Sequence, residues 1–438
     1  MSMNKTYKED PISFLSTLFK VAVAAAMPNF KELGLKFPTP KPGKIVVIGA
    51  GKGAAAMAKS FEQAAKDFWS TADYERLQGL VVTRYGHGLA CEKVEVIEAS
   101  HPVPDKAGQI AAQRILGLIS NLSADDLVVF LASGGGSALL TAPIDGITLD
   151  EKMMINKELL KCGASIFEIN CVRKHLSKIK GGRLAQLCHP AQVLTYAISD
   201  IPGDDPSIIA SGPTLPDSST CEDALRVITK YDIQVPDFIR EGLKTSALET
   251  PKVGDPLFSS IPEPVVLTTA KHSLEAAKRF AEESELNAEI LSDSIEGEAQ
   301  QVGAVFGAMS LWLARKDSDS ALKKPLVLIS GGETTVTVKG SGRGGRNTDF
   351  LLSFAHAVDG AKGIYAIAAD TDGIDGSEDN AGATYSPQTI QKGHDFGMNL
   401  VDCLNKNDAY TFFGATGDLL VTGPTRTNVN DFRAILII

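Results

Sequence analysis

The sequence predicts an α/β protein with two domains, of which the first is built on a doubly wound, Rossmann-like parallel sheet. Strand-like and helix-like segments alternate along the chain, and several unbroken apolar runs end in glycine clusters. The clearest run covers residues 127–140, where Leu-Val-Val-Phe-Leu-Ala precedes Ser-Gly-Gly-Gly-Ser. Such a run suits a strand that is covered on both faces, as parallel strands are. Because 438 residues exceed the size at which a single core stops growing, two domains are expected.

Glycine-rich turns are predicted after three of the strands, at residues 49–53, 133–137 and 330–333. Glycine has no Cβ, so ligand atoms can approach the backbone, and N–H groups can face an anion at the start of the next helix. At the carboxyl ends of strands, such turns predict a site for a phosphorylated ligand. Tight α/β connections also need glycine without any ligand, and each motif is weak alone. Lys52 and Glu333, which lie inside two of these turns, favour the ligand site.

The N-terminal segment predicts an amphipathic helix that begins at Pro11, is capped by Asp10 and ends before Pro28. A secretory signal is not expected, because Glu9 and Asp10 precede the apolar run and Lys20 interrupts it. No later run approaches the roughly 18 apolar residues that a membrane span needs, so no membrane association is expected.

The first domain, residues 1–255, is expected to alternate strands and helices. Its strands are predicted at 44–48, 79–83, 94–99, 127–132 and 192–198, and its helices at 54–65, 108–122 and 149–162. An acidic, proline-containing stretch at 217–262 marks the boundary. The second domain, residues 256–438, begins a new α/β rhythm. Its strands are predicted at 265–269, 288–291, 326–329, 335–339 and 363–369, its helices at 273–284, 296–315 and 349–358, with a surface loop at 316–320 and a strand–loop–strand over 418–438.

Composition excludes some classes of function. A net charge of −10 and a pI near 5.3 argue against nucleic acid as a partner, because binding it needs a basic surface. An anionic small substrate needs only a locally basic pocket and is not excluded. The six cysteines show no metal-ligand spacing, which predicts reduced thiols and a cytoplasmic protein.

The first glycine turn partly fits a dinucleotide-binding fingerprint through Gly49, Gly51 and Ala54. That fingerprint requires a carboxylate at the end of the second strand to bind the ribose. This chain has Arg84 there, followed by Tyr-Gly-His-Gly. The missing carboxylate weakens a nicotinamide interpretation. Lys52 suits a phosphate or carboxylate ligand better.

Several charged groups are candidates for ligand contacts. The sequence around Gly181 and Gly182 carries Arg173, Lys174, Lys178 and Lys180, which form either a solvated face or an anion-binding edge. His101, in the loop after the third strand, is either a ligand-facing donor or a structural histidine. Glycines around Arg343 and Arg346 would let both guanidinium groups approach an anion. Three carboxylates, Asp200, Asp204 and Asp205, follow a strand and suit Mg²⁺, although turn chemistry without a metal explains them too.

Taken in order, nine motifs resemble the class II glycerate 2-kinases from about residue 44 to the C-terminus. They are Gly-Ala-Gly-Lys-Gly, Ser-His-Pro-Val-Pro, Ser-Gly-Gly-Gly-Ser, Val-Arg-Lys-His-Leu-Ser-Lys-Ile-Lys-Gly-Gly, Ser-Asp-Ile-Pro-Gly-Asp-Asp, Ser-Gly-Gly-Glu-Thr, Gly-Arg-Gly-Gly-Arg-Asn, Thr-Asp-Gly-Ile-Asp-Gly and Thr-Asn-Val-Asn-Asp. The resemblance implies a C-terminal MOFRL-type α/β domain with a mixed sheet and an active site in the interdomain cleft. It also implies Lys52 and Arg346 as the principal catalytic cations. Some relatives carry the name hydroxypyruvate reductase, which keeps an NAD(P)H-dependent reductase as the alternative.

The resulting expectation is transfer of a phosphoryl group from ATP to the 2-hydroxyl of D-glycerate, with Mg²⁺. The assigned residues are Lys52, Arg346 and Asp200 for catalysis; Ser133, Gly134, Gly135, Gly136, Ser137, Lys178, Glu333, Arg343 and Asn347 for nucleotide or substrate binding; and Asp200, Asp204 and Asp372 for the metal. Asp200 is also the best candidate base. A sugar-acid sensor without catalysis is a third, weaker hypothesis. The oligomeric state stays open, with a homodimer as one outcome.

Overall fold

The computed structural model describes residues 6–201, 203–315 and 322–438, so the predicted loop at 316–320 lies outside the described residues. The chain forms two compact units. The inner unit is Pro28–Leu267, and the terminal unit joins the N-terminal segment that ends at Met27 to Thr268–Ile438. The expected domain boundary at 255/256 stays a prediction. In this division the N-terminal helix packs with the C-terminal half of the chain.

That helix, α1 (Pro11–Ala25), begins as the sequence predicts: the carboxylate of Asp10 accepts the N–H of Ser13 at 3.0 Å, with Pro11 at the first position. The stretch Pro11–Lys36 is long and apolar enough, by composition alone, to cross a membrane. In the structure the apolar face of α1 contributes to the core of the terminal unit, where Phe14 stacks on Phe280 at a centroid distance of 5.8 Å. Packing in this core explains the apolar face.

The inner unit is built on a six-stranded sheet. Its strands are β1 (Ile45–Ala50), β2 (Leu77–Arg84), β3 (Val94–Ala99), β4 (Leu127–Ala132), β5 (Gln192–Ile198) and β6 (Val265–Thr268), in the order β3-β2-β1-β4-β5-β6. The first five pair in parallel. The strand order reverses between β1 and β4, which in doubly wound sheets places the ligand crevice at the carboxyl ends of those two strands. The predicted doubly wound sheet is confirmed.

Nine helices in the described part of the inner unit cover this sheet or form a smaller helical cluster beside it. They are α2 (Ala54–Phe68), α3 (Thr71–Glu75), α4 (Lys106–Leu118), α5 (Gly136–Leu139), α6 (Leu149–Lys161), α7 (Ile166–His175), α8 (Arg183–Cys188), α9 (Cys221–Lys230) and α10 (Asp237–Lys244), with 3-10 turns at Phe30–Lys36, Ile209–Ser211 and Pro256–Ser260. Every residue of β1 and β4 is buried, as their unbroken apolar sequences predict. A second core lies among α6, α7, α9 and α10.

The terminal unit contains a mixed six-stranded sheet, as expected. Its strands are β7 (Asn287–Glu298), β8 (Leu326–Thr335), β9 (Ile364–Asp370), β10 (Gly382–Tyr385), β11 (Leu419–Leu420) and β12 (Asp431–Ile437), in the order β11-β10-β9-β12-β8-β7. Its later helices are α11 (Ala270–Glu283), α12 (Ala299–Arg315), α13 (Arg346–Val358), α14 (Thr389–Asp395), α15 (Leu400–Lys406) and α16 (Ala409–Thr416). β7 and β8 are parallel, whereas β12 is antiparallel to both β8 and β9. The start of β12 therefore meets the carboxyl ends of β8 and β9.

The third predicted glycine turn, at 330–333, is wrong, because β8 continues straight through it. Gly331 pairs with Phe432 and Gly332 with Asp431, while β7 pairs on the other side with two register shifts. At Gly332, where φ is +118°, a Cβ would lie only 2.2 Å from the backbone nitrogen of Ile295. Glycine here permits close strand approach at an irregular pairing rather than a turn.

Strand pairing also places other element boundaries away from the predicted positions. The short strand at 288–291 extends to Glu298, because the whole of β7 pairs along β8, and α12 begins later than expected. No strand forms at 336–339. The strand β10 is absent from the predicted elements, whereas β11 is the first strand of the predicted strand–loop–strand over 418–438. The short segment of β10 becomes a strand through pairing with β9 and β11.

Candidate active site

In the inner unit, the two glycine turns predicted after β1 and β4 are joined by hydrogen bonds. The N–H of Lys52 donates to the carbonyl oxygen of Gly134 at 2.8 Å, and the N–H of Gly53 donates to Ser133 Oγ at 3.0 Å. At Gly51, with φ +141°, a Cβ would lie 2.0 Å from Ser133 Oγ. These contacts fix the backbone of Lys52 at the point where the strand order reverses.

Gly135 lies between two candidate ligand-binding side chains. Its φ of +80° is a left-handed conformation, and a Cβ here would lie 2.9 Å from His101 Cδ2 and 3.5 Å from Lys52 Cγ. The structure thus brings His101 to the second glycine turn beside Lys52. Whether His101 faces a ligand or makes a structural hydrogen bond stays a prediction.

A chain of polar side chains extends from the other end of the same turn. Ser137 Oγ lies 2.6 Å from Ser211 Oγ, which in turn lies 3.2 Å from Asn170 Oδ1. Ala210 and Ser211 hold positive φ values of 52° and 63°, which is uncommon for residues other than glycine. Neither Asn170 nor Ser211 is among the site residues predicted from the sequence. The only signal for them was their position inside motifs rich in glycine or charge.

Asp200 and Asp204 follow β5, next to the strand that carries the glycine turn. Both are partly exposed, and the N–H of Asp204 donates to the carbonyl oxygen of Ile201 at 3.0 Å in a turn where Asp204 has φ +54°. Carboxylate oxygens that solvent can reach are the donors that Mg²⁺ takes, because it keeps several of its waters. The donor set therefore fits the predicted metal.

The structure separates the cations of the basic segment. Lys178 pairs with Asp145 at 2.5 Å, and Lys174 pairs with Asp217 at 3.2 Å. Lys180 is buried, and its Nζ donates to the carbonyl oxygen of Leu140 at 3.0 Å, just after α5. Burial holds the pKa of Lys180 well below its ordinary value. The segment is therefore neither a uniform solvated face nor a uniform anion-binding edge.

In the terminal unit, Arg346 lies at the centre of a carboxylate cluster. Its Nε donates to Asp431 Oδ1 at 2.7 Å, one Nη donates to Asp370 Oδ2 at 2.7 Å, and the other lies 3.4 Å from Glu333 Oε1. The three acids stand at the start of β12, the end of β9 and near the end of β8, which the antiparallel pairing of β12 brings to one edge. About 20% of the Arg346 side chain is exposed, so the guanidinium is held but can still be reached by solvent.

This cluster shifts the pKa values of its members. Burial alone lowers the pKa of Arg346, but the carboxylates, Asp431 foremost, hold it well above its ordinary value. Burial likewise raises the pKa of Asp431, yet the guanidinium groups of Arg346 and Arg433 bring it below its ordinary value. Arg433 is buried, donates to Asp431 and to Thr334 Oγ1, and lies over the ring of Phe350. Neither Asp431 nor Arg433 is among the site residues predicted from the sequence, because only the pairing of the strands brings them to Arg346.

The other residues predicted for this half have different surroundings. Asn347 is fully buried; its Nδ2 donates to Asp431 Oδ1 at 2.7 Å, and its Oδ1 finds no donor among the described residues. Asp372 is also buried, and its Oδ1 accepts the N–H of Ile374 at 2.8 Å. Arg343 is exposed, donates to Glu378 and stacks on the ring of Tyr410, 4.4 Å from its centroid. The ligand roles of these three residues stay predictions.

Comparisons with known proteins place this arrangement in a family. Residues 14–244 match the model described as a domain of unknown function, DUF4147, and residues 326–431 match the MOFRL family. A protein of Agrobacterium vitis is 47% identical over 97% of this chain and 94% of its own length, and its name as a hydroxypyruvate reductase is provisional. The D-glycerate 2-kinase of Thermotoga maritima is 39% identical over 98% of this chain and 100% of its own length.

A solved structure agrees with the sequence relatives. The crystal structure of glycerate kinase from Thermotoga maritima has a TM-score of 0.85 and 38% identity, covering 98% of this chain and 100% of that one. The glycerate 2-kinase of Pyrococcus horikoshii is 36% identical over 98% of this chain and 94% of its own length. Identity and coverage of this extent, in both halves of the chain, show that it belongs to the two-domain glycerate 2-kinase family that its motifs resemble.

Proposed function

We propose that the protein transfers the terminal phosphoryl group of ATP to the 2-hydroxyl of D-glycerate, giving 2-phosphoglycerate. The observation that carries this proposal is Lys52, held between two interlocked glycine turns where the strand order reverses. A cation beside a glycine-rich turn suits phosphates, and phosphoryl transfer asks a protein mainly for positioning and charge neutralisation. The names of the Thermotoga and Pyrococcus relatives support the same substrate.

The roles follow from what each group can do. The turn from Ser133 to Ser137 would hold nucleotide phosphates through its backbone N–H groups. Lys52 and Arg346 would neutralise the glycerate carboxylate and the charge that develops on the transferred group. Asp200 would accept the proton of the 2-hydroxyl. Glu333, through its contact with Arg346, would set the position of that guanidinium.

A magnesium ion fits the partly exposed carboxylates of Asp200 and Asp204 in this proposal. Asp372 is buried in the other unit, and its role as a metal ligand stays a prediction. When bound, Mg²⁺ would neutralise phosphate charge on the nucleotide. A cytoplasmic location suits an enzyme of small soluble substrates.

The second candidate is a nicotinamide-dependent hydroxypyruvate reductase, favoured by the provisional name of the Agrobacterium relative. The end of β2 argues against it. Arg84 stands there, and the nearby carboxylate of Glu98 accepts the N–H groups of Gly86 at 3.0 Å and Gly88 at 2.9 Å. Glu98 therefore uses Oε1 to hold the loop that follows β2.

The deciding experiment incubates the protein with ATP, Mg²⁺ and D-glycerate and uses enolase as the coupling enzyme. Enolase accepts 2-phosphoglycerate directly, so phosphoenolpyruvate forms only if the 2-hydroxyl was phosphorylated. A parallel reaction follows NADH and NADPH oxidation with hydroxypyruvate. Lys52→Ala should lose kinase activity, whereas Lys59→Ala, on the exposed face of α2, is the matched control. Oxidation of the nicotinamide without consumption of ATP would replace the kinase by the reductase.

The metal assignment has its own test. Asp200→Asn and Asp204→Asn should each raise the Mg²⁺ concentration needed for half-maximal rate or lower kcat, because a carboxylate ligand is lost. Asp125→Asn, an exposed residue before β4, serves as the control. Unchanged Mg²⁺ dependence in both variants would remove these two residues from the metal site.

A further inference from the structure

Three potential metal ligands meet in the inner unit outside the residues assigned to phosphoryl transfer. His175, Cys221 and Glu249 each offer one ligand atom, and these atoms all lie within 4.8 Å of one another. They come from the end of α7, the start of α9 and the segment after α10. An imidazole, a thiol and a carboxylate from three separate segments are brought together by packing.

The hydrogen bonds of His175 determine which of its ring nitrogens can bind a metal. The ring is fully buried, and its Nδ1 lies 2.8 Å from the carbonyl oxygen of Cys171. Because a carbonyl oxygen only accepts, Nδ1 carries the proton and donates it. The other nitrogen, Nε2, lies 3.0 Å from Glu249 Oε1, and in the neutral ring it presents a lone pair to that oxygen. Two acceptors at this distance need either a proton or a metal cation between them.

In metal sites, a histidine that binds the ion through one ring nitrogen usually donates its other ring N–H to a backbone carbonyl or a carboxylate, as His175 does here. Glu249 is oriented too, since its Oε2 accepts the N–H of Cys221 at 3.0 Å and its Oε1 accepts the N–H of Thr250 at 3.1 Å. Cys221 is 1% exposed, but about 30% of the Glu249 side chain is exposed. An ion can therefore enter from the Glu249 side, and solvent can supply a further ligand.

We propose that His175 Nε2, Cys221 Sγ and Glu249 bind a divalent ion of the zinc class, with water as the fourth ligand. Sulfur, imidazole nitrogen and carboxylate oxygen together suit Zn²⁺, whereas Mg²⁺ prefers oxygen alone. With Zn²⁺ bonds of about 2.0–2.3 Å, tetrahedral ligand atoms lie roughly 3.3–3.7 Å apart, so the three groups need only small movements. The ion braces α7 against α9. It takes no part in phosphoryl transfer, so the inference does not depend on the proposed function.

Lys252 competes for this position. Its Nζ lies 2.5 Å from Glu249 Oε1, where a metal would have to bind, and about a third of the lysine side chain is exposed. A long, partly exposed side chain can move into solvent when a doubly charged ion replaces it. Removing the ammonium should therefore tighten metal binding. If Lys252 and Glu249 formed only a structural ion pair, no such gain would be expected.

The experiment uses the full-length, chelator-treated protein without nucleotide or glycerate. Zn²⁺ binding is measured by calorimetry, and Co²⁺ is added separately as a spectroscopic probe for a thiolate ligand. We expect one Zn²⁺ per chain, a thiolate-to-cobalt charge-transfer band and a rise in the thermal midpoint with Zn²⁺. Cys221→Ala should lose the band and weaken binding about tenfold or more. Cys162→Ala, a partly exposed thiol of the same unit, should behave as the wild type.

Two further variants keep the thiol in place and cover the case in which Cys221→Ala does not fold. Lys252→Met should tighten Zn²⁺ binding, and Glu249→Gln should weaken it. An ion bound at Asp200 and Asp204 would have oxygen ligands only and would give no thiolate band. Absence of the band in the wild type, or an equal band in Cys221→Ala, would overturn the proposal and leave a proton between His175 and Glu249.

Discussion

Arg346 shows how one residue type can be predicted from sequence while its surroundings cannot. Its glycine-rich stretch indicates a guanidinium close to an anion, but the anions it meets in the structure are Asp370 and Asp431, each at 2.7 Å, and Glu333 at 3.4 Å. Separate nitrogens engage separate carboxylates, so the guanidinium is fixed in orientation before any ligand binds. Pre-organised charge of this kind costs no reorganisation during the reaction.

The variant Arg346→Lys should therefore fail to replace the wild type. A single ammonium cannot contact Asp370 and Asp431 in the same geometry, and it cannot form a planar fork toward a carboxylate or phosphate. We expect kcat/KM to fall by about two orders of magnitude or more in the enolase-coupled assay. Arg315→Lys, at the exposed end of α12, controls for the substitution itself. Wild-type kcat/KM in Arg346→Lys would show that the forked geometry is not used.

At the scale of an element, the start of α13 depends on a residue far along the chain. Asp375 is fully buried, and its two oxygens accept the N–H groups of Asn347 at 2.9 Å and Thr348 at 2.8 Å, together with the Thr348 hydroxyl at 2.8 Å. These are N–H groups of the first turn, which a helix leaves without partners of its own. Asp375 therefore caps the helix that carries Arg346.

Removing this cap should loosen α13 at its first turn. Asp375→Ala leaves buried N–H groups unpaired and should lower the free energy of unfolding by about 2 kcal/mol. Asp375→Asn keeps one acceptor oxygen for these N–H groups and should cost less than Asp375→Ala. The measurement is the urea midpoint of each variant, with Ser377→Ala, an exposed neighbour, as control. Equal midpoints for Asp375→Ala and the wild type would contradict the capping role.

Helix α7 begins with a carboxylate that should make stability depend on pH. Glu168 accepts hydrogen bonds from Lys230 Nζ at 2.7 Å, the N–H of Ser165 at 2.9 Å and the Tyr231 hydroxyl at 3.0 Å. The lysine contact is the largest of the effects that together lower the pKa of Glu168 from 4.5 to about 2. A lowered folded-state pKa stabilises the fold above the unfolded value, and this contribution is lost as pH falls through the folded value.

The comparison of wild type with Glu168→Gln tests this sign. The wild type should have the higher urea midpoint near neutral pH, and the difference should shrink as pH falls from 4.5 toward about 2. Glu241→Gln, on the exposed face of α10, should show no such trend. A difference between wild type and Glu168→Gln that stays constant or grows in acid would show that the ionised Glu168 contributes nothing.

For the whole molecule, each compact unit holds one of the two predicted catalytic cations. Lys52 lies in the turn after β1 of the inner unit, and Arg346 begins α13 of the terminal unit. The chain crosses between the units twice, because α1 packs with the C-terminal half. If both cations serve one phosphoryl transfer, their losses should not be independent.

Lys52→Ala and Arg346→Ala should each lower kcat/KM by about two orders of magnitude or more. The double variant should lose much less than the product of the two single losses, as residues that act as a unit do. The enolase-coupled assay measures all four proteins under one set of conditions. Losses that multiply fully would show that Lys52 and Arg346 serve separate steps.

Much of the fold could be predicted because its signals are local. The apolar runs of β1 and β4 are buried throughout, and Asp10 with Pro11 starts α1, because burial on both faces and helix capping depend on neighbouring residues. The turns that contain Lys52 and Ser133 could be predicted for the same reason, since a glycine cluster directly after a buried strand is a signal of only a few neighbouring residues. The predicted turn at 330–333 is wrong because glycines after an apolar run also occur where two strands approach closely.

The sequence by itself therefore determined the two-domain α/β class and the family, and it predicted the residue types of the site. Tertiary structure alone decided which groups surround those residues: Asp431 reaches Arg346 across 85 positions, and Asp375 reaches Asn347 across 28. It also decided that α1 joins the terminal unit, and it brought His175, Cys221 and Glu249 together. The physical reason is that strand pairing and core packing join segments distant in the chain, and such contacts leave no periodicity or spacing in the sequence to read.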